Sequence, residues 1–185
     1  MPIIMRKTLL FILEVFKTVL IALLIVVPIR AFLFQPFFVR GQSMEPNFEN
    51  GDYLIIDEIS YRFVEPQRGE VVVFKYPNNP SQRYIKRIIG LPGDTIEIRE
   101  GLVMIQEGEE SKILDESTYL AQNIQTLGDA KVSLNENEYF VLGDNRTLSS
   151  DSRRWGPIEK KDIIGKVILR AWPFTAMAKI EAPAY

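Results

Sequence analysis

The chain has 185 residues, of which 22 are Lys or Arg and 24 are Asp or Glu, so its formal net charge at pH 7 is −2. This balance provides no general cationic surface for phosphates and argues against nucleic acid as a partner. The sequence contains neither His nor Cys, which excludes disulfides, the usual zinc sites, thiol nucleophiles and a Ser-His-Asp triad. We therefore expect no metal and no other cofactor.

The amino-terminal segment is the most apolar part of the sequence. Between residues 8 and 29 its only charged residues are Glu14 and Lys17, one helical turn apart. Because about 20 apolar residues span a bilayer, we predict a transmembrane anchor over 8–31, after a short tail at 1–7. A buried or interfacial helix is the alternative. No pair of small residues forms a cleavage site after the apolar segment, which argues against a removed signal peptide.

The rest of the sequence predicts a mainly β domain. Residues 32–38 contain five large apolar side chains and suit either the lipid-water boundary or a first buried strand. Beyond them, short segments rich in β-branched and aromatic residues alternate with turns rich in Gly, Pro and Asn. The predicted strands are 53–57, 70–75, 84–89, 95–99, 102–105, 138–142 and 163–172.

Residues 106–137 interrupt this pattern. The segment begins with acidic residues and its apolar residues are sparse, so we predict an insertion or long excursion that forms a solvated surface, with a binding role as the alternative. The β-rich domain then comprises 32–105 and 138–180, followed by a short tail at 181–185.

Ser43 and Lys86 are the candidate reactive residues. A serine hydroxyl needs a base within hydrogen-bonding distance, and lysine is a base only when it is neutral. Lowering its pKa from about 10.4 to about 8 requires about 3 kcal/mol of preference for the neutral amine, which burial can supply. In the predicted strand 84–89, Tyr84 and Ile88 share the face of Lys86. Taken alone, this pattern also fits an outward lysine on an amphipathic strand.

The serine lies in no familiar nucleophile motif. Gly41-Gln-Ser43-Met-Glu45 lacks the final glycine of G-x-S-x-G, and Ser43-Met-Glu-Pro46 lacks the lysine of S-x-x-K. The motifs along the chain, taken together in order, are more specific. They are Ser43-Met44-Glu-Pro46, Gly51-Asp52, Arg68-Gly69-Glu70-Val-Val-Val-Phe, Tyr84-Ile85-Lys86-Arg87-Ile-Ile-Gly90-Leu-Pro-Gly93-Asp94, and Gly143-Asp144-Asn145-Arg146 through Ser149-Ser150-Asp151-Ser152-Arg153 to Trp155-Gly156.

This series resembles the bacterial type I signal peptidases over nearly the whole chain outside 106–137. The resemblance implies a membrane-bound serine endopeptidase with a Ser/Lys dyad on an antiparallel β-sheet catalytic domain of the signal peptidase or LexA-like type. Ser43 would be the nucleophile and Lys86 the general base, with Ser149 orienting the lysine amine. The Ser43 backbone N–H would be one oxyanion donor, whereas Gly41 stands where some members have a donating serine.

The resemblance also implies supporting and substrate-binding residues. Four residues would brace the site in two pairs, Asp144 with Arg87 and Asp151 with Arg153. Four others align with the family's substrate pocket: Val39, Met44, Tyr84 and Ile85. Asn47 and Thr147-Leu148 depart from the commonest family pattern, as Gly41 does.

The expected substrates are exported precursor proteins carrying signal peptides, cut after small residues in an Ala-x-Ala pattern through an acyl-enzyme. The resemblance places the protein in the cell membrane with a single pass and its catalytic domain on the extracytoplasmic side, so its partners would be precursors and the lipid bilayer. Two alternatives are a self-cleaving LexA-like Ser/Lys regulator and a noncatalytic membrane-tethered β-domain that binds extended peptides.

Overall fold

The computed structural model describes residues 3–32, 34–107, 110–121, 124–183 and 185. A long helix, α1 (Ile3–Phe32), precedes the β domain. Among the described residues, no helix combines the length and apolar character needed to cross a membrane. The transmembrane anchor predicted for 8–31 is therefore not confirmed.

The rest of the structure is mainly antiparallel β, which confirms the predicted class. A short helix, α2 (Ser152–Trp155), follows the ninth strand. The strands are β1 (Phe34–Phe38), β2 (Tyr53–Asp57), β3 (Val71–Tyr76), β4 (Asn79–Gly90), β5 (Thr95–Arg99), β6 (Leu102–Glu107), β7 (Glu110–Ile113), β8 (Ala130–Ser133), β9 (Glu138–Leu142), β10 (Ile158–Glu159), β11 (Ile163–Trp172) and β12 (Ala178–Lys179).

Within the described parts of the chain, these strands form two sheets. The larger has the order β1-β2-β11-β3-β4-β9-β10, with β12 beside β11, and the smaller has the order β7-β6-β5-β8. Residues 34–38 pair with β2, so the strand alternative for the aromatic segment is the one observed. All the strand pairings are antiparallel.

Residues 71–74 of β3 and 85–90 of β4, in the centre of the larger sheet, are buried on both faces. Val71 and Val73 pack on one side with Met44, whereas Val72 and Ile88 pack on the other. A continuous apolar segment, rather than an alternating one, is what such a strand requires. The smaller sheet covers a third cluster, formed with residues of β4 and β9: Ile89, Ile96, Ile98, Val103, Ile105, Leu114, Leu134, Phe140 and Leu142.

Residues 106–137 differ from the predicted solvated excursion. The segment contributes β7 and β8 to the smaller sheet, where they pair with β6 and β5. Among its described residues, it also buries the side chains of Leu114, Tyr119, Leu120, Thr126 and Leu134. Leu114 and Leu134 pack in the cluster that the smaller sheet covers. The spacing of the five residues along the chain matches neither a helical nor a strand periodicity.

Candidate active site

Ser43 lies in the turn between β1 and β2. The turn is held by Met44 and Phe48, each 1% exposed and packed in the core, and by a hydrogen bond from Phe48 N to Met44 O of 2.9 Å. Gly41 has a φ of +91°, a conformation that glycine adopts without steric cost. Across the site, Asn145 N donates to Ser43 O at 3.1 Å. The nucleophile candidate thus lies on a turn that is constrained from both sides.

Lys86 approaches Ser43 from the middle of β4. It pairs with Val72 of β3, is 3% exposed, and its Nζ lies 2.7 Å from Ser43 Oγ. The Nζ also donates to Ile85 O at 2.7 Å and lies 5.6 Å from the centre of the Tyr84 ring. Two residues 43 positions apart in the sequence are therefore in hydrogen-bonding contact.

The surroundings of Lys86 favour the neutral amine. Burial lowers the pKa of Lys86 to about 8, although the carboxylates of Asp151 and Asp144 act in the opposite direction and raise it. A buried lysine with a pKa close to the working pH can accept a proton from a neighbouring hydroxyl. The geometry and the electrostatics of the pair are therefore both those of a nucleophile and its base.

Arg87 points to the opposite side of β4 and pairs with Asp144. Its Nε lies 2.9 Å from Asp144 Oδ1 and its Nη2 lies 2.7 Å from Oδ2, a bidentate pair. Asn47 Nδ2 donates to the same Oδ2 at 2.9 Å, and Arg87 Nη1 donates to Gly69 O at 2.8 Å. Burial alone would lower the pKa of Arg87, but Asp144 raises it above its usual value, so the arginine stays charged.

Asp151 and Arg153 form the second predicted pair. Arg153 Nε and Nη2 each lie 2.8 Å from an oxygen of Asp151, and Asp151 also accepts the Gly143 N–H at 3.1 Å. Burial by itself would raise the pKa of Asp151, but Arg153 lowers it below its ordinary value. The pair connects the start of α2 to the end of β9 and holds the loop 143–151 in place.

Ser149 is buried in this loop, yet it is not bonded to the lysine. It is 3% exposed, and its Oγ has no hydrogen-bond partner of standard geometry among the described residues. The structure therefore lacks the predicted Ser149 to Lys86 hydrogen bond, since the lysine amine bonds Ser43 and Ile85 O instead. A Cβ on Gly143 would overlap both Ser149 Oγ and Ser43 O, so the hydroxyl lies close to the Ser43 turn.

A long cleft of about 720 Å³ opens in front of Ser43 and Lys86. Tyr84 and Ile85 line it, as predicted for the substrate pocket, whereas Val39 and Met44 lie in the core beneath it. Its lining residues are Pro36, Phe37, Phe38, Arg40, Gly41, Gln42, Ser43, Gln82, Arg83, Tyr84, Ile85, Lys86, Leu148 and Ser150. Sequence reasoning missed Gln42, Leu148 and Ser150, although each is adjacent in sequence to a predicted site residue.

The backbone at Ser43 is available for oxyanion stabilisation. Within the described parts of the chain, the Ser43 N–H donates no hydrogen bond, while the Gly41 N–H donates to Asn50 Oδ1 at 3.0 Å. No group of three or more carboxylates among the described residues is arranged to hold a metal ion. A serine hydroxyl beside a buried amine can act as a nucleophile with that amine as its base.

Comparisons with known proteins relate the chain to one protein family. The sequence profile of the family described as "Signal peptidase, peptidase S26" matches residues 12–172. "Probable signal peptidase I-2" of Synechocystis sp. is 39% identical over 166 residues, covering 87% of this chain and 73% of the relative. "Signal peptidase I" of Leptolyngbya laminosa is 36% identical over 180 residues, covering 92% and 84%. A crystal structure of a signal peptidase I from Enterococcus faecalis is 32% identical and covers 56% of this chain and 97% of its own, with a TM-score of 0.46.

Proposed function

The chain belongs to the signal peptidase family, peptidase S26, and we propose that it removes signal peptides from exported precursors with Ser43 as nucleophile and Lys86 as general base. One observation carries this proposal. Lys86 Nζ, 3% exposed, lies 2.7 Å from Ser43 Oγ at the wall of an open cleft. A buried amine within hydrogen-bonding distance of a serine hydroxyl meets the distance requirement for activating that hydroxyl once the amine is neutral.

The reaction follows from this geometry. The neutral Lys86 amine takes the Ser43 proton as Oγ attacks the scissile carbonyl carbon, and the carbonyl oxygen becomes an oxyanion that accepts the Ser43 N–H. The Lys86 ammonium then gives its proton to the departing amine of the mature protein, which leaves the signal peptide esterified to Ser43. Lys86 next takes a proton from water, the hydroxide attacks the ester carbonyl, and the proton returns to Ser43 Oγ.

The cleft suits an extended peptide. In the described residues, β1 pairs only with β2, so its other edge is open. The part of β4 that lines the cleft, residues 82–86, pairs with β3 on one side and not with β9 on the other, since that pairing begins at Arg87. A precursor chain that lies between these two edges can add main-chain hydrogen bonds to either strand. Tyr84 and Ile85 would then limit the size of the side chains next to the cut.

Purified enzyme and a synthetic precursor whose signal ends in Ala-x-Ala test this function. Cleavage is expected after the second alanine. Replacing that alanine by leucine should lower kcat/KM at least about tenfold, because the larger side chain clashes with the walls of the cleft. The measurement is the rate of product formation by mass spectrometry. Equal rates for the two precursors would contradict the proposed small-residue specificity, and a precursor left uncut under all conditions would contradict the function.

The enzyme is attached to the cell membrane through α1, with its catalytic domain on the extracytoplasmic side, where exported precursors emerge. Support comes from the apolar surface of this helix: Phe11, Phe16 and Leu24 are each between 64% and 66% exposed. Phe38 and Phe174 at the end of the larger sheet are 59% and 70% exposed. Exposed apolar surface of this extent is unfavourable in water and favourable against lipid.

Membrane attachment predicts two results in cells that express the chain with a carboxyl-terminal tag. Alkaline carbonate should leave the protein in the membrane pellet, because apolar contacts do not depend on charge. Protease added to spheroplasts should digest the tag while a tagged cytoplasmic protein stays intact. Recovery in the carbonate supernatant would overturn the attachment, and a protected tag would reverse the orientation.

A further inference from the structure

Residues of the segment 110–127 contact the rear of the candidate active site through Arg146. The Arg146 side chain is fully buried, and the Glu116 side chain that pairs with it is 13% exposed. Arg146 Nη1 donates to Glu116 Oε2 at 2.8 Å, and its Nη2 donates to Glu116 Oε1. Arg146 also donates to Thr126 Oγ1. This is a buried bidentate ion pair and not one of the exposed pairs that contribute little.

The same guanidinium holds the Gly143 peptide. Arg146 Nε donates to Gly143 O at 3.1 Å, while the Gly143 N–H donates to Asp151. Gly143 is in close contact with Ser149 Oγ and Ser43 O, where only a residue without Cβ fits. The Ser43 carbonyl oxygen therefore lies against Gly143. The position of Gly143 depends on Arg146, and the position of Arg146 depends on Glu116.

Glu116 reaches the site by a second route, through Tyr119. Tyr119 OH donates to Glu116 Oε1 at 2.6 Å, and Tyr119 O accepts Asn47 Nδ2 at 2.7 Å. Asn47 lies four residues after Ser43 and also donates to Asp144. The Tyr119 ring lies 4.1 Å from the Arg87 guanidinium carbon. Glu116 is thus connected both to the Ser43 turn and to the ion pair behind Lys86.

We propose that Glu116 is a positioning residue for peptide-bond cleavage: through Arg146 and Tyr119 it holds the Gly143 peptide and the Ser43 turn in the arrangement that brings Ser43 Oγ to Lys86. The proposal rests on the Ser/Lys function proposed above. It assigns to the segment 110–127 a part in the reaction, although none of its described residues lines the cleft.

Glu116→Gln in the full chain tests the proposal. The amide keeps the size of the side chain but leaves the buried Arg146 charge without its carboxylate. We expect kcat to fall about tenfold with KM within twofold, because a displacement of well under 1 Å at the nucleophile lowers the rate without removing substrate contacts. The control is Glu110→Gln on exposed β7, which should match the wild type.

A pH profile separates positioning from general loss of structure. The charged and titratable groups around Lys86 and its cleft are Asp144, Asp151, Arg87, Arg153, Arg40, Arg83 and Tyr84. In Glu116→Gln, the positive charge of Arg146 is no longer balanced by the Glu116 carboxylate. This charge should disfavour the Lys86 ammonium and so lower the pKa of Lys86. The acid limb of kcat/KM should therefore move to lower pH. Glu116→Gln combined with Arg146→Gln removes both charges and should return the limb toward its wild-type position, even where kcat stays low.

Tyr119→Phe provides a variant that keeps the apolar packing and removes only the hydroxyl, which donates to Glu116 and accepts from the Tyr185 hydroxyl. Tyr119→Phe should lower kcat as Glu116→Gln does, but by a smaller factor. The inference fails if folded Glu116→Gln enzyme has the kcat and pH profile of Glu110→Gln while Ser43→Ala remains inactive. If Ser43→Ala cleaves normally, the proposed function itself is wrong.

Discussion

Ser43→Ala and Lys86→Met should each reduce cleavage of an Ala-x-Ala precursor by about 10⁴-fold, the loss expected when one member of a nucleophile and base pair is removed. Without the Ser43 Oγ no acyl-enzyme forms. Without the Lys86 amine the hydroxyl keeps its proton, and the leaving amine receives none. The two losses should not add in the double variant, because both residues act in the same step. Single-turnover cleavage measured with enzyme in excess gives these rates.

Two controls separate chemistry from stability. Lys75→Met, on exposed Lys75 of β3, and Ser111→Ala, on exposed β7, make the same substitutions away from the site and should cleave as the wild type does. Lys86→Met should also stay folded, since methionine fills a similar volume and removes the cost of burying an amine. Wild-type rates in Ser43→Ala or Lys86→Met would exclude the Ser/Lys dyad.

The pH dependence of kcat/KM should show an acid limb with a midpoint near the pKa of Lys86, which burial lowers to about 8. Only the neutral amine can accept the serine proton, so activity rises with pH through this midpoint and levels above it. Two pH units below the midpoint, about 1% of the lysine is neutral, and kcat/KM should be about 100-fold below its plateau. Initial rates at low substrate concentration from pH 5.5 to pH 10 measure this limb.

Asp151→Asn tests the direction in which the Asp151 carboxylate changes the pKa of Lys86. The Asp151 carboxylate raises the pKa of Lys86, so its removal should move the midpoint to lower pH. Asparagine can still accept the backbone hydrogen bond at the start of α2. Asp129→Asn, at an exposed position, should leave the midpoint unchanged. A rate that stays level from pH 6 to pH 9, or a midpoint that rises in Asp151→Asn, would contradict Lys86 as the base.

The sequence predicted those strands of the β domain whose characteristic residues all lie within one short segment. The predicted strands at 53–57, 95–99, 138–142 and 163–172 have the bounds that the structure gives them, because each segment is rich in strand-forming residues and is flanked by turn residues. It predicted less of 106–137, whose buried residues follow neither a helical nor a strand periodicity. The pairing of Glu116 with Arg146, 30 residues away, has no signal in either segment.

For the candidate active site as well, some features were predicted from local motifs and others depended on contacts between distant residues. The motifs singled out Ser43, Lys86 and the two supporting ion pairs, and the structure places them on the turn after β1, on β4, on the loop that leads into α2 and on α2 itself. They did not show that Val39 and Met44 lie beneath the cleft and not in its wall. They also implied a hydrogen bond between Ser149 and Lys86 that is absent, because the rotamer of a buried lysine depends on the acceptors that the fold places around it.

By itself, the sequence limited which chemistry is open to this protein: without histidine or cysteine, a serine can be activated here only by lysine, a carboxylate or tyrosine. Only the tertiary structure decided that Lys86 is the residue that meets Ser43. The antiparallel pairing of β3 with β4 buries the lysine beside apolar clusters on both faces of the sheet. The turn after β1 then brings Ser43 Oγ within 2.7 Å of its amine. The pKa of Lys86 reflects that burial, and burial depends on contacts between residues far apart in the sequence.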